Sequence, residues 1–296
     1  MTNASAVTLS KQQDLVNYAL GSLIALYAYS RILQVFPGKV PMLAVVALHV
    51  LPPALFALIH GSVLYRIRGS VAFIVICFVV GNIFENLGVL TGFPFGHYYF
   101  TGLMGPKLFV VPVFLGLAYV GMAYLSWTLA RAILKDLQSP LSGSHVITVP
   151  VLAAFIMVAW DLAMDPIWST VLHAWIWQQG GAYFGVPLSN FLGWLLTVYV
   201  IYQLFALYLR NGPINSKQLP ARYWRLPILF YAVSAAGNLL LTVPRRRIPL
   251  VSDPAGTQWN VRSIIAACAF VSIFVMGAFA FLAWARLARR NTDASG

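Results

Sequence analysis

Apolar residues in this chain neither alternate nor mark one helical stripe; they run on for about twenty residues at a time, the length that crosses a hydrocarbon layer about 30 Å thick. About eight such runs predict helices near 14–36, 42–65, 70–91, 107–134, 146–165, 189–209, 226–243 and 262–285. The seventh is short and carries Asn238. The first is longer than the apolar core of a signal peptide and is expected to remain as a span. Polar residues collect at the two ends and in short connections, with no long linker. The expectation is an all-α, polytopic transmembrane helix bundle forming a single integral membrane domain over 1–296.

Two connections break the polar rule for loops. One follows the third run, Thr91-Gly92-Phe93-Pro94-Phe95-Gly96-His97-Tyr98-Tyr99-Phe100 to Gly105-Pro106. The other follows the fifth, from Asp165-Pro166-Ile167-Trp168 through Trp175-Ile176-Trp177 to Gly181-Ala182-Tyr183-Phe184-Gly185-Val186-Pro187. Both are rich in Gly, Pro and aromatic residues, and helix parity places both on one membrane face. Irregular backbone at that depth needs protein or a cavity to cover it, so the loops are expected to fold over the mouth of the bundle.

Composition agrees with the pattern. Sixty per cent of residues are hydrophobic and 9% are charged, against about 25% charged in a soluble domain. The net charge of +12 raises nucleic acid as a partner, but the basic residues lie between apolar runs, where topogenic charges meet lipid headgroups. No nucleic acid is expected. With eight spans both termini share one side, which holds 12 of the 19 Lys and Arg against 7 opposite. The termini are therefore expected in the cytoplasm of a multi-pass protein of the cell membrane. Cys77 and Cys268 sit inside apolar runs and read as small buried hydrophobes.

Against this background three of the seven acids stand out, because Glu85, Asp161 and Asp165 lie inside predicted spans. A carboxylate at membrane depth costs roughly 2.5 kcal/mol or more. Asp14, Asp136, Asp253 and Asp293 fall in polar flanks and are expected to reach water. Asn82 and Asn86 share a helical face with Glu85 and are expected to hold the acid by their amides. Asp161 and Asp165, four apart, face one way; like charges that close do not both ionise cheaply, so one is expected to keep its proton. Pro166 is expected to end or kink the helix just after Asp165. The surrounding aromatics Tyr98, Tyr99, Trp160, Trp168, Trp175, Trp177, Tyr183 and Phe184 suit a membrane interface. They equally suit a polyene or a carbocation, which aromatic faces stabilise. His97 is a candidate proton shuttle and Asn190 a candidate polar contact. No repeated Glu-x-x-His or histidine cluster suggests a di-iron centre, and neither metal nor cofactor is expected.

Glu85-x-x-Gly88 leads into Gly92-Phe93-Pro94-Phe95-Gly96-His97-Tyr98-Tyr99, Gly105-Pro106 and Val111-Pro112. Asp161 to Asp165-Pro166 leads into Trp175-x-Trp177, Gly181-x-Tyr183-Phe184-Gly185-Val186-Pro187 and Asn190-Phe191-x-Gly193-Trp194. Over about 80–195 this pattern resembles the carotenoid biosynthesis protein family of integral membrane proteins, whose characterised type is the CruF-like carotenoid 1′,2′-hydratase, including bisanhydrobacterioruberin hydratases. The resemblance implies hydration of the terminal double bond of an acyclic carotenoid end group to a tertiary alcohol. It implies as partners a carotenoid or other isoprenoid lipid substrate, membrane lipids and further carotenoid-pathway enzymes. Depth and spacing, not the resemblance, make Glu85, Asp161 and Asp165 the catalytic candidates, with Asp165 or Asp161 as proton donor and Glu85 orienting water, or the reverse. The substrate-binding candidates are Asn82, Asn86, Phe95, His97, Tyr98, Tyr99, Trp160, Trp168, Trp177, Tyr183, Phe184 and Asn190. Two other classes fit the acids: a membrane prenyltransferase holding magnesium through Asp161-x-x-x-Asp165, which lacks a second acidic motif here, and a proton-coupled transporter using them as a relay.

Overall fold

The computed structural model describes residues 3–36, 38–135, 137, 140–210, 212, 219–243 and 249–293. Helices α1 (Asn3–Leu33), α2 (Met42–Thr91), α3 (Val113–Ile133), α4 (His145–Pro166), α5 (Leu188–Arg210), α6 (Ala221–Leu240), α7 (Val261–Val271) and α8 (Gly277–Asp293) form an all-α bundle. The helix α2 is 50 residues long, about 75 Å of rise, too long for one crossing. It breaks at Arg66 (φ 56°, ψ 169°) into two helices that match the second and third expected spans. An added Cβ at Gly61 would lie 2.8 Å from the Ser70 hydroxyl, and one at Gly69 would lie 2.6 Å from Tyr65 Cβ. The two halves therefore fold back tightly on each other, with glycine required at the bend. The helices α2, α3 and α5, α4 extended to Val171, and the stretch Val261–Ala288 are each long and apolar enough to cross a membrane. The remaining spans expected from the sequence are the helices α1 and α6.

The helix α3 is the buried centre, enclosed by α2, α4, α6 and α8. The outer face of α2 carries Val71, Val75, Val79, Ile83 and Leu87, exposed and spaced by four, a lipid-facing row one helical turn apart. Three prolines inside helices are compensated from other elements of the fold. A proline removes the N–H that would bond the carbonyl four residues earlier. Pro150 frees the Val146 carbonyl, which accepts from Gln203 Nε2 of α5 at 3.2 Å. Pro227 frees that of Tyr223, met by His60 Nε2 of α2 at 2.9 Å. Pro166 frees that of Leu162, met by the Tyr183 hydroxyl at 3.2 Å. Each broken helical bond becomes a tertiary bond.

The α-helical form of α4 ends at Pro166, as expected. The chain continues as a π-helical stretch, Ile167–Val171, and the Ser169 hydroxyl bonds the Asp165 carbonyl at 2.8 Å. The fourth expected span starts later than predicted: 107–112 forms a hairpin of β2 (Lys107–Leu108) and β3 (Val111–Pro112), whose capping Pro112 opens α3. The two aromatic loops do converge. β1 (Tyr98–Phe100) from the first pairs antiparallel with β4 (Trp175–Trp177) from the second, with Tyr98 opposite Trp177 and Phe100 opposite Trp175. A last hairpin, β5 (Leu250–Ser252) with β6 (Gln258–Asn260), leads into α7, where the Asn260 side chain caps the first turn through Arg262 N and Ser263 N. Asp253 in that hairpin is not the open, solvated acid expected. It is buried and accepts from the Trp259 indole at 2.9 Å. Arg31 and Arg131, assigned from the sequence to headgroup depth, are also buried. Arg245, Arg246, Arg247 and Asp136 lie outside the described residues.

Candidate functional site

Glu85, Asp161 and Asp165 are 4%, 0% and 1% exposed, and the β1–β4 ribbon closes the face toward which they lie. Asp161 and Asp165 share one partner, since Asn190 Nδ2 donates to Asp161 Oδ2 at 3.1 Å and to Asp165 Oδ2 at 2.6 Å. Asn190 sits in the first turn of α5, where its backbone N–H bonds the Pro187 carbonyl at 3.1 Å. The Trp175 indole donates to Asp165 Oδ1 at 2.9 Å. Asp161 Oδ1 has no hydrogen-bond partner.

Glu85 is held differently from the expectation. Asn82 and Asn86 turn their amides back onto their own helix, to the Phe78 and Asn82 carbonyls at 2.9 and 2.7 Å. On a helix an amide reaches the carbonyl four residues back without leaving its own surface, so shared spacing did not bring these groups to the acid. Two phenols do so instead: Tyr119 donates to Glu85 Oε1 at 2.6 Å and Tyr98 donates to Oε2. Burial and the neighbouring carboxylate both raise the Tyr98 phenol well above its ordinary range, which keeps it a donor. Among the described residues no basic side chain pairs with any of the three acids.

Glu85 and Asp165 face a common cavity of about 280 Å³ bounded by Phe95, Tyr98, Trp175, Trp177, Asn190 and Trp194; Asp161 lies behind it. Strand alternation explains the cover, since successive side chains point to opposite faces: Tyr98, Phe100, Trp175 and Trp177 are buried while Tyr99 between them is exposed. Tyr119 stacks on Trp194 with centroids 4.5 Å apart and rings within 4° of parallel, and Trp160 meets Trp194 edge-on. Phe95 is wedged between two glycines, because an added Cβ at Gly88 or at Gly193 would each lie 2.6 Å from its ring. These contacts account for Gly88 and Gly193 of the two motifs.

Several expected contacts lie elsewhere. His97 is exposed, its ring packed over Gly92. Tyr99 points outward. Trp168 lines a separate cavity. Phe184 packs on Trp259. Tyr183 serves the carbonyl freed by Pro166 rather than a carboxyl. In each case a loop or π turn set the direction, and spacing along the chain does not encode it. Sequence reasoning does not single out Tyr119 or Trp194. Tyr119 lies on a uniformly apolar span with no polar neighbour to mark it, whereas the motif string Gly193-Trp194 contains the other.

Fold and site define an all-α integral membrane protein with a small, aromatic-walled, carboxylate-bearing pocket beneath one face. The chain belongs to the carotenoid biosynthesis protein family, whose model matches residues 39–251. It is 32% identical over 126 residues to the bisanhydrobacterioruberin hydratase of Haloarcula japonica, a match covering 41% of this chain and 39% of that protein. No solved structure matches it.

Proposed function

We propose that the protein is a hydratase that adds water to the terminal 1′,2′ double bond of an acyclic carotenoid end group. The observation that carries this reading is the cavity onto which Asp165 and Glu85 both open between aromatic walls. The pocket is small and walled by Phe95, Tyr98, Trp175, Trp177 and Trp194, which suits the end of a long polyene rather than all of it.

In this reading Asp165 gives its proton to the less substituted alkene carbon. Asp161, sharing Asn190 with it, makes double ionisation costly and so favours a protonated pair. The tertiary cation is shielded by the faces of Trp177 and Trp194. Glu85, turned toward the cavity by two phenols, orients the water and takes its proton as the C–O bond forms. Return of that proton to Asp165 resets the site, so the net change is one water added across one double bond. The hydratase named for the relative supports the reaction type; the acid and base assignments rest on the hydrogen bonds.

The test is expression in a host that makes lycopene or γ-carotene, with Glu85→Gln, Asp161→Asn and Asp165→Asn compared with the parent. Pigment with the mass of one added water is expected from the parent and absent from Glu85→Gln and Asp165→Asn. Product from all three variants at parent levels would sink the mechanism. The cell membrane and cytoplasmic termini are part of the same proposal. Setting aside the buried Arg31 and Arg131, one from each side, the 12 and 7 basic residues become 11 and 6, and the asymmetry stands.

A further inference from the structure

A second and larger cavity, about 800 Å³, opens at the same end of the bundle and shares no lining residue with the carboxylate pocket. Its walls come from the end of α1, the start of α2, the π-helical end of α4 and the entry to α7. They are apolar, with Phe36, Val45, Met164, Val171, Leu241 and Ile265. One full charge faces this space. Arg31, two residues before the end of α1, is 4% exposed.

The guanidinium is held in place by a built framework. Its Nη1 donates to Gln34 Oε1 at 2.6 Å and its Nη2 donates to Asn238 Oδ1. Asn238 is oriented for that task by giving its own amide hydrogens to the Ser272 hydroxyl at 2.8 Å and the Ala163 carbonyl at 3.3 Å. Gly237 leaves the room, since a Cβ there would lie 2.0 Å from Arg31 Nε. The helices α1, α4, α6 and the turn before α8 thus converge on one cation. Two neutral amide oxygens orient a guanidinium without neutralising it. Nε makes no hydrogen bond, and among the described residues no carboxylate pairs with Arg31. A buried cation with no counter-charge is costly, and a planar guanidinium with free N–H groups fits a phosphate.

We propose that this cavity is a binding site for an anionic phospholipid, with the phosphate on Arg31 and an acyl chain along the apolar wall. Two observations select this occupant: the cation needs an anion and the wall needs a hydrocarbon. The helix α1, read from the sequence as a span, ends two residues past Arg31, which puts the cation near headgroup depth. Trp168 lines the same cavity and provides the reporter. The full-length protein in detergent micelles is titrated with brominated phosphatidylglycerol or brominated phosphatidylcholine while tryptophan emission is followed, and Trp168→Phe isolates the signal from this site. Phosphatidylglycerol is expected to quench at roughly fivefold lower concentration than phosphatidylcholine, the discrimination of a single basic residue. Arg31→Gln is expected to remove that preference. Should Arg31→Gln fail to fold, Val45→Trp fills the cavity with Arg31 intact and is expected to abolish the Trp168 quenching. Equal quenching of the parent by both lipids overturns the proposal. So does loss of the preference when inorganic phosphate is added, which would make the ligand a soluble anion. Neither readout depends on hydratase activity.

Discussion

Tyr119→Phe removes one oxygen atom and little else. The ring keeps its stack on Trp194 at 4.5 Å, and α3 keeps its packing, so no cavity larger than a hydroxyl forms. What is lost is the 2.6 Å hydrogen bond to Glu85 Oε1, in a site where Glu85 is 4% exposed and water does not replace the donor freely. A hydrogen bond to a charged group is worth about 1.5–3 kcal/mol. If the proton-accepting form of Glu85 depends on both phenols, that loss lowers turnover by roughly 10- to 150-fold at about 1.4 kcal/mol per decade. The assay is the ratio of hydrated to parent carotenoid by mass in membranes of a lycopene-producing host, normalised to folded protein measured by size exclusion. Tyr119→Leu, which also removes the stack, is expected to lower the amount of folded protein as well, separating packing from chemistry. Turnover of Tyr119→Phe within about twofold of the parent, alongside an inactive Glu85→Gln, would refute the reasoning, since a bond worth so little would not be setting the base.

Further expectations follow from the same geometry. Asn190→Leu leaves two buried carboxyls without their shared donor and is expected to lower thermal stability by about 1–3 kcal/mol and to abolish conversion, read by melting and pigment mass. Trp175→Phe removes the 2.9 Å bond to Asp165 while keeping a ring in the ribbon, and is expected to slow conversion by several-fold, about 1 kcal/mol. Gly88→Ala forces a Cβ to 2.6 Å from Phe95 and 3.1 Å from the Tyr98 hydroxyl; activity is expected to fall more than folded yield. At Gly181 the added Cβ would sit 2.1 Å from the backbone of Val186, so Gly181→Ala is expected to leave little folded protein on size exclusion.

The helices were legible because twenty apolar residues in a row have few stable alternatives in lipid: the backbone must satisfy its own hydrogen bonds there. The convergence of the two aromatic loops followed from counting crossings, and the anomalous cost of a carboxyl at depth singled out Glu85, Asp161 and Asp165. Chain order did not reveal what those acids touch. Asn82 and Asn86 had the spacing to meet Glu85, yet their amides bond their own helix. Tyr119 meets it from another helix 34 positions away. Pro166 marked the end of the α-helical turns, but not the Tyr183 hydroxyl that supplies the donor it lacks. Arg31 looked like an exposed charge, but Asn238, 207 positions on, helps hold it buried beside a cavity. Local rules describe how a segment meets its solvent, and lipid imposes those rules strongly. Which partner a buried polar atom finds depends on helices brought together from distant parts of the chain, and only the packed bundle decides it.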